Sequence, residues 1–203
     1  SACEITGAQA IHPGYGFLAE NAGLAGACGE NDILFVGPRP ETIEQLGDKL
    51  AARRVAAEAG VPLMPGSEAV GSVDEAVARA DAFDYPVVIK AAAGGGGRGM
   101  FVAREPEAIR ESFDKASAEA SAAFGDGTLY MERFIANARH IEVQVLADDH
   151  GNAVHLGERD CSAQRRYQKV VEEAPAPALS DTARTGLHEA ALQLVSHIGY
   201  RNA

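Results

Sequence analysis

The strongest constraint in the sequence is a run of glycines, Gly94 to Gly97 with Gly99 just after Arg98. It lies between the apolar, β-branched stretch Tyr85-Pro86-Val87-Val88-Ile89-Lys90 and the short stretch Met100-Phe101-Val102-Ala103. Gly94, Gly96 and Gly99 satisfy the spacing GxGxxG, but a dinucleotide fingerprint has to open a helix whose N-terminus holds a pyrophosphate, and Met100–Ala103 reads as a strand. The acidic ribose partner of such a fold would fall inside the helical stretch Glu107–Phe124 instead of at a strand end. No Gly-Lys-Ser/Thr closes the run, which excludes a Walker A loop. What remains is strand, glycine loop, strand, with Lys90 ending the first strand. In such a flap successive backbone N–H groups approach phosphate oxygens without Cβ clashes, and the lysine adds a point charge. The loop alone also admits a flexible linker or a surface hairpin.

Around this loop the pattern alternates helix and strand, which signals an α/β (α+β) chain. Helical periodicity covers about Ala19–Glu30 and about Pro40–Ala59, the latter interrupted at Gly47-Asp48 and stopped by Gly60 with Pro62 beyond. A short strand is expected at Leu34–Gly37. Ser72-Val73-Asp74-Glu75 is a capping box that opens a helix to Phe83. Ile109, Phe113, Ala116 and Ala120 put an apolar stripe on Glu107–Phe124, and Thr128–Glu132 is a strand candidate. His140–Ala147 alternates polar and apolar residues and turns at Asp149-His150-Gly151-Asn152 into Ala153–Glu158, the clearest hairpin in the chain. Ser180 caps a last helix, about Asp181–Ile198.

The composition narrows the function classes. Eighteen Lys and Arg against twenty-nine Asp and Glu leave a net charge of -11, so a nucleic-acid backbone would be repelled. No apolar run reaches the ~18 residues of a membrane helix, and the N-terminus lacks the pattern of a secretory signal, so a cytoplasmic location is expected. Cys3, Cys28 and Cys161 are too few and too widely spaced for a disulfide framework or a zinc site. Both ends look cut, since the first motif arrives within a dozen residues and only four residues follow Gly199, which ends the last helix.

Six strings in order resemble the biotin carboxylase component of biotin-dependent carboxylases, which has the ATP-grasp fold. They are His12-Pro13-Gly14-Tyr15-Gly16-Phe17-Leu18-Ala19-Glu20-Asn21, Gly47-Asp48-Lys49, Tyr85 through Ala91 with its glycines, Tyr130-Met131-Glu132, Arg139 through Gln144, and Glu158 through Arg166 continuing to Glu172-Glu173-Ala174-Pro175. The resemblance implies the tail of a Rossmann-like N-terminal domain over 1–45, a helical connection over 46–61, the glycine-flap lid domain over 62–134 and the first part of the C-terminal ATP-grasp domain over 135–203. It also implies ATP, Mg²⁺ or Mn²⁺, bicarbonate, and biotin on a carrier domain or protein. The expected partners are that carrier, a carboxyltransferase and a second copy of the chain.

The same resemblance assigns roles. Lys49 and Lys90 touch the nucleotide phosphates, and Gly96 and Gly97 belong to the flap over them. Glu132, Arg133, Phe134 and Ile135 form the segment against adenine, with Glu132 accepting from the exocyclic amine. His140, Gln164 and Tyr167 lie around ribose and phosphates, Tyr167 standing where many members have histidine. Lys169 approaches bicarbonate. The acidic metal ligands, the base and the bicarbonate arginines are expected C-terminal to Ala203, so the chain alone is expected to be an inactive fragment.

The complete enzyme would carboxylate biotin through carboxyphosphate, the first half-reaction of an acetyl- or propionyl-CoA type carboxylase serving fatty acid synthesis. Other acceptors remain open, as do another ATP-grasp ligase of the carbamoyl phosphate synthetase type and an ATP-binding remnant. The residues also have plainer roles available: Lys49 as a solvated helix lysine, Glu132 as a surface partner of Arg133, His140 as a hydrogen-bonded core histidine, Cys161 as packing, and Arg165-Arg166 as a basic spot of the kind that Arg53-Arg54 shows in a plain helix.

Overall fold

A computed structural model of the chain describes residues 1–93 and 99–202. A first unit comprises α1 (Ala2–Thr6), β1 (Ala10–Ile11), a 3-10 turn (Phe17–Glu20), α2 (Ala22–Glu30), β2 (Leu34–Phe35), α3 (Pro40–Gly47) and α4 (Lys49–Glu58). The strands β1 and β2 pair in parallel, and Ala25, Cys28 and Phe35 are buried between them and the helices. The single helical stretch expected at 19–30 divides at Asn21, whose side chain accepts from the Leu24 amide at 2.7 Å and starts α2. The interruption expected at Gly47-Asp48 is present. Asp48 ends α3 and caps α4, accepting from the Ala51 amide at 2.7 Å.

The second unit holds α5 (Val73–Asp81), β3 (Val87–Ala91), β4 (Phe101–Ala103), α6 (Pro106–Phe124) and β5 (Leu129–Arg133), with sheet order β4-β3-β5, all antiparallel. Ser72 caps α5, while Glu75 reaches one residue further back than a capping box requires, accepting from the Gly71 amide at 3.0 Å. The stripe Ile109, Phe113, Ala116 and Ala120 of α6 packs on Val87, Ile89, Leu129 and Met131 of the sheet, and Ala76 and Ala80 of α5 complete this core. The strand bearing Lys90 is thereby held on a rigid base, and Gly99, at φ 64, closes the glycine run against the Cβ of Ala91.

The third unit is an antiparallel sheet of β6 (Ile141–Ala147), β7 (Ala153–Arg165) and β8 (Gln168–Glu173), with α7 (Asp181–His197) packed on β6 and β7. The hairpin at Asp148–Asn152 is the expected one. Beyond it, β7 runs seven residues past Glu158, and β8 is a strand that periodicity does not reveal. The turn joining them is Arg166-Tyr167, at φ 51 and 64, a left-handed pair made without glycine or asparagine. Asn202 pairs with Ala147 through both backbone groups and reaches the Gly37 carbonyl at 2.8 Å, tying the first unit to the third.

Replacing Ile109, which is 0% exposed, with alanine should leave a cavity under β3. The expected loss is about 2–5 kcal/mol, read as a lower urea midpoint at unchanged slope.

Candidate active site

Two clusters of charge, one on each sheet, carry the candidate residues. On the first, β3 carries Lys90 one residue before its end, and the ammonium bonds Glu132 Oε2 across the sheet. The other oxygen of Glu132 is held by Arg53 of α4, which also donates to the Met64 carbonyl at 2.9 Å. Arg53 can reach across because Gly66 has no side chain: a Cβ there would meet Met131 O at 2.9 Å and the guanidinium at 2.6 Å. Lys49, the first residue of α4, donates its ammonium to the Ala91 carbonyl at 2.8 Å and its amide to the Ala92 carbonyl at 3.4 Å. Burial, reinforced by the positive charge of Lys90, lowers the Lys49 pKa, with Glu132 and Asp48 opposing.

Lys49, Lys90 and Glu132 therefore converge as the sequence suggests, with one difference. The Glu132 carboxylate faces Lys90 and Arg53, so an amine of a base would have to compete with two cations for it. Arg53 was hidden by its setting, since an Arg-Arg pair in a helix carries no signal of a partner 79 residues away. In the adjoining segment the amides of Arg133 and Phe134 donate to Pro65 and Pro86, each at 2.9 Å. Ile135, 49% exposed, is the residue of this segment that opens onto the neighbouring cleft. Gly96 and Gly97 lie outside the described residues.

That cleft, of about 540 Å³, is lined by Ile135 from one side and by His140, Gln164 and Tyr167 from the other, so four of the expected nucleotide contacts share one space. Gln164 Nε2 lies 2.9 Å from His140 Nδ1 and donates to the Cys161 carbonyl at 2.8 Å, which fixes the imidazole. Beside it, Arg139 bonds Asp160 Oδ2 at 2.7 Å. The Asp160 carboxyl is held at about 2 by hydrogen bonds from Ser162 and Arg139.

The second cluster centres on Glu142. One oxygen accepts from Arg159, Nε lying at 2.9 Å; the other binds the ammonium of Lys169, with His140 Nε2 at 3.5 Å. Burial alone would raise the Glu142 pKa, but the hydrogen bonds and charges of Lys169 and Arg159 outweigh it and hold it at about 2. The bond to Glu142 correspondingly raises Lys169. Sequence reading assigned no role to Glu142 or Arg159. Their pairing needs a β-bulge: counting back from the hairpin turn sets Val145 opposite His155, but one step on Val143 faces Glu158 and Glu142 faces Arg159. Gly157, at φ 92, supplies the extra residue.

Glu142, Cys161 and Glu172 bring one ligand atom each within 4.8 Å of one another. Cys161 is fully buried and its thiol is raised by burial and by the Glu142 charge, so it stays protonated and packs. Both carboxylates are already shared with Lys169 and Arg159, and Mg²⁺ seeks octahedral oxygen. This donor set does not fit that ion. Among the described residues no helix is long and apolar enough to cross a membrane.

Residues 48–203 match the family described as carbamoyl-phosphate synthase L chain, ATP binding domain, and residues 1–43 match the biotin carboxylase N-terminal domain. Together with the fold, this makes the chain an ATP-grasp protein, and within that class it belongs to the biotin carboxylase family. A biotin carboxylase from Campylobacter jejuni, solved as a complex with a β,γ-ATP compound, superposes with a TM-score of 0.95 at 49% identity over 98% of this chain and 45% of that one. The biotin carboxylase domain dimer of Hydrogenobacter thermophilus 2-oxoglutarate carboxylase, solved with MgADP, ADP and bicarbonate, gives 0.93 at 47% identity over 98% and 44%. Pyruvate carboxylase 1 of Caenorhabditis elegans is 52% identical over 96% of this chain and 17% of its own length. The chain thus spans less than half of the relatives it matches.

The depressed Glu142 pKa gives a sign for pH dependence. Its contribution to stability should be complete above its ordinary value of 4.5 and be lost as pH falls towards about 2. Wild type should therefore melt above Glu142→Gln at pH 7, and the difference between their melting temperatures, followed by circular dichroism, should shrink steadily below pH 4.5.

Proposed function

We propose that the protein of which this chain is part is a biotin carboxylase: it uses ATP and bicarbonate to carboxylate biotin borne on a carrier. The observation that carries this reading is the pairing of Lys90 and Lys49 on one strand end. Lys90 lies on β3 and Lys49 is fastened to the Ala91 carbonyl at 2.8 Å. Two cations gathered at one strand end, with a glycine run following in the sequence, suit a polyphosphate.

The adenine would enter the cleft at Ile135, with Glu132, Arg133 and Phe134 behind it and His140, Gln164 and Tyr167 around the ribose. The phosphates would point towards Lys49 and Lys90 under Gly96 and Gly97. Lys169 would meet bicarbonate. Bicarbonate oxygen attacks the γ-phosphorus, the bond to the β-phosphate oxygen breaks, and ADP and carboxyphosphate result. Negative charge must be gathered before the step and dispersed during it, which fixed lysines accomplish without reorganisation. Lys169 reaches its anion by exchanging Glu142 for it, and Glu142 keeps Arg159. Carboxyphosphate then passes its carboxyl group to a biotin ring nitrogen and releases phosphate.

The acceptor is chosen by a carboxyltransferase. An acyl-CoA is what the resemblance implies, with pyruvate among the acceptors left open; the relatives include pyruvate and 2-oxoglutarate carboxylases. The lid is proposed to span 62–134, between the N-terminal tail over 1–45 with its connection over 46–61 and the C-terminal part over 135–203. A dimer and a cytoplasmic location complete the proposal.

The test is bicarbonate-dependent ATP cleavage by the full-length protein with free biotin as acceptor. Lys90→Gln should lower kcat/KM for ATP by about 10²-fold, and Lys169→Gln should raise KM for bicarbonate about tenfold with KM for ATP within about twofold. ATP cleavage indifferent to bicarbonate and biotin would overturn the assignment, and dependence on ammonia would replace it with the carbamoyl phosphate synthetase type.

A further inference from the structure

Two motifs have no part in the roles above: Glu158, which opens Glu-Arg-Asp-Cys-Ser, and the Ala174-Pro175-Ala176-Pro177 turn that follows β8. The structure joins them. Glu158 is 2% exposed; strand alternation sends its side chain to the face of β7 opposite to Arg159, and the bulge makes that the face covered by α7 and not the one shared with Glu142. Its carboxylate accepts from the Ala176 amide at 3.2 Å and from His188 Nε2 at 2.7 Å, and it binds the Arg184 guanidinium. Arg184 closes the ring by donating to the Ala176 carbonyl at 3.1 Å. His188, which must carry its proton on Nε2 to donate, stacks on His155 of β7 with ring centroids 3.9 Å apart.

The strand this turn follows needs an external anchor. All six residues of β8 are exposed, so no buried side chain sets its register, and its pairing with β7 shifts twice, between Asp160 and Ala163 and again at Gln164. Beyond its ladder with β7 and the ion pairs of Lys169 and Glu172, its two ends hold it. One is the left-handed turn Arg166-Tyr167; the other is the turn pinned at Ala176 by Glu158 and Arg184, with Arg139 donating to the Pro177 and Ala178 carbonyls beside it. Lys169 lies between these ends.

We propose that Glu158 is a positioning residue that acts through the Ala-Pro-Ala-Pro turn to fix β8 and hence the ammonium of Lys169. It never touches a reactant. The inference rests on the reading that Lys169 serves bicarbonate, and it explains why a carboxylate is buried here at all: one anion is what can gather a backbone amide, a guanidinium and an imidazole at a single point.

The experiment compares full-length wild type with Glu158→Gln and Glu158→Asp, by hydrogen exchange without substrates and by steady-state kinetics. In Glu158→Gln, exchange over 168–178 should rise at least about tenfold while 87–91 and 129–133 stay unchanged. KM for bicarbonate should rise about tenfold with KM for ATP within about twofold, and Glu158→Asp should recover part of both effects. If Glu158→Gln does not fold, Arg184→Lys, which keeps the charge and loosens the link to the Ala176 carbonyl, should move the same two quantities in the same direction. Exchange that rises evenly along the chain, a lower melting temperature with unchanged Michaelis constants, or a parallel rise in both would overturn the proposal. Wild type without bicarbonate dependence would instead sink the functional reading, and exchange over 168–178 would still decide whether Glu158 anchors β8.

Discussion

Between the pairs Val145–His155 and Val143–Glu158, β7 advances three residues while β6 advances two, and Gly157 takes the left-handed φ of 92° within that step. Continued without the bulge, the register of the turn would place Glu142 opposite Glu158, two like charges in a cross-strand pair, which is destabilising. The extra residue sets Glu142 opposite Arg159 and sends Glu158 to the other face. One local irregularity thus separates two carboxylates of the same hairpin into different environments. Glu142 remains partly exposed beside Lys169, and Glu158 is enclosed beneath α7.

The first sheet solves a different electrostatic problem. On the proposed reading, a chain of net charge -11 would have to offer a positive pocket to a polyanion. It does so by gathering Arg53, Lys49 and Lys90 around a single carboxylate, Glu132, so the local sum stays positive although the whole is acidic. Glu132 offsets part of the repulsion among the cations, and Arg53 holds one of its oxygens independently of Lys90.

Much of this was legible in the residues. The break at Gly47-Asp48, the caps at Ser72 and Ser180, the stripe on α6 and the turn at Asp148–Asn152 are local features, and they name their own helices and strands. Lys90 was legible because it sits next to the glycines. Arg53, Glu142 and Arg159 were not, because their meaning lies in partners 79 and 17 residues distant, and for the last two in a bulge that shifts the count by one. Strand β8 was missed for a related reason: with no buried face it has no alternation to read, and its turn is made by Arg166 and Tyr167 instead of the usual Asn-Gly.

Helix α4 is fastened to the strand end through both ends of Lys49, its backbone amide at Ala92 and its ammonium at Ala91, and through Arg53 to Glu132 on the neighbouring strand. Its own start is a single capping residue, Asp48, with no linker between it and α3. The helix is therefore mechanically part of the sheet it leans on, and Asp48 is the joint at which the first unit lets go of it. Any tilt of that sheet would carry Lys49 along with Lys90, so the spacing of the two cations is set by the sheet and not by the body of the helix.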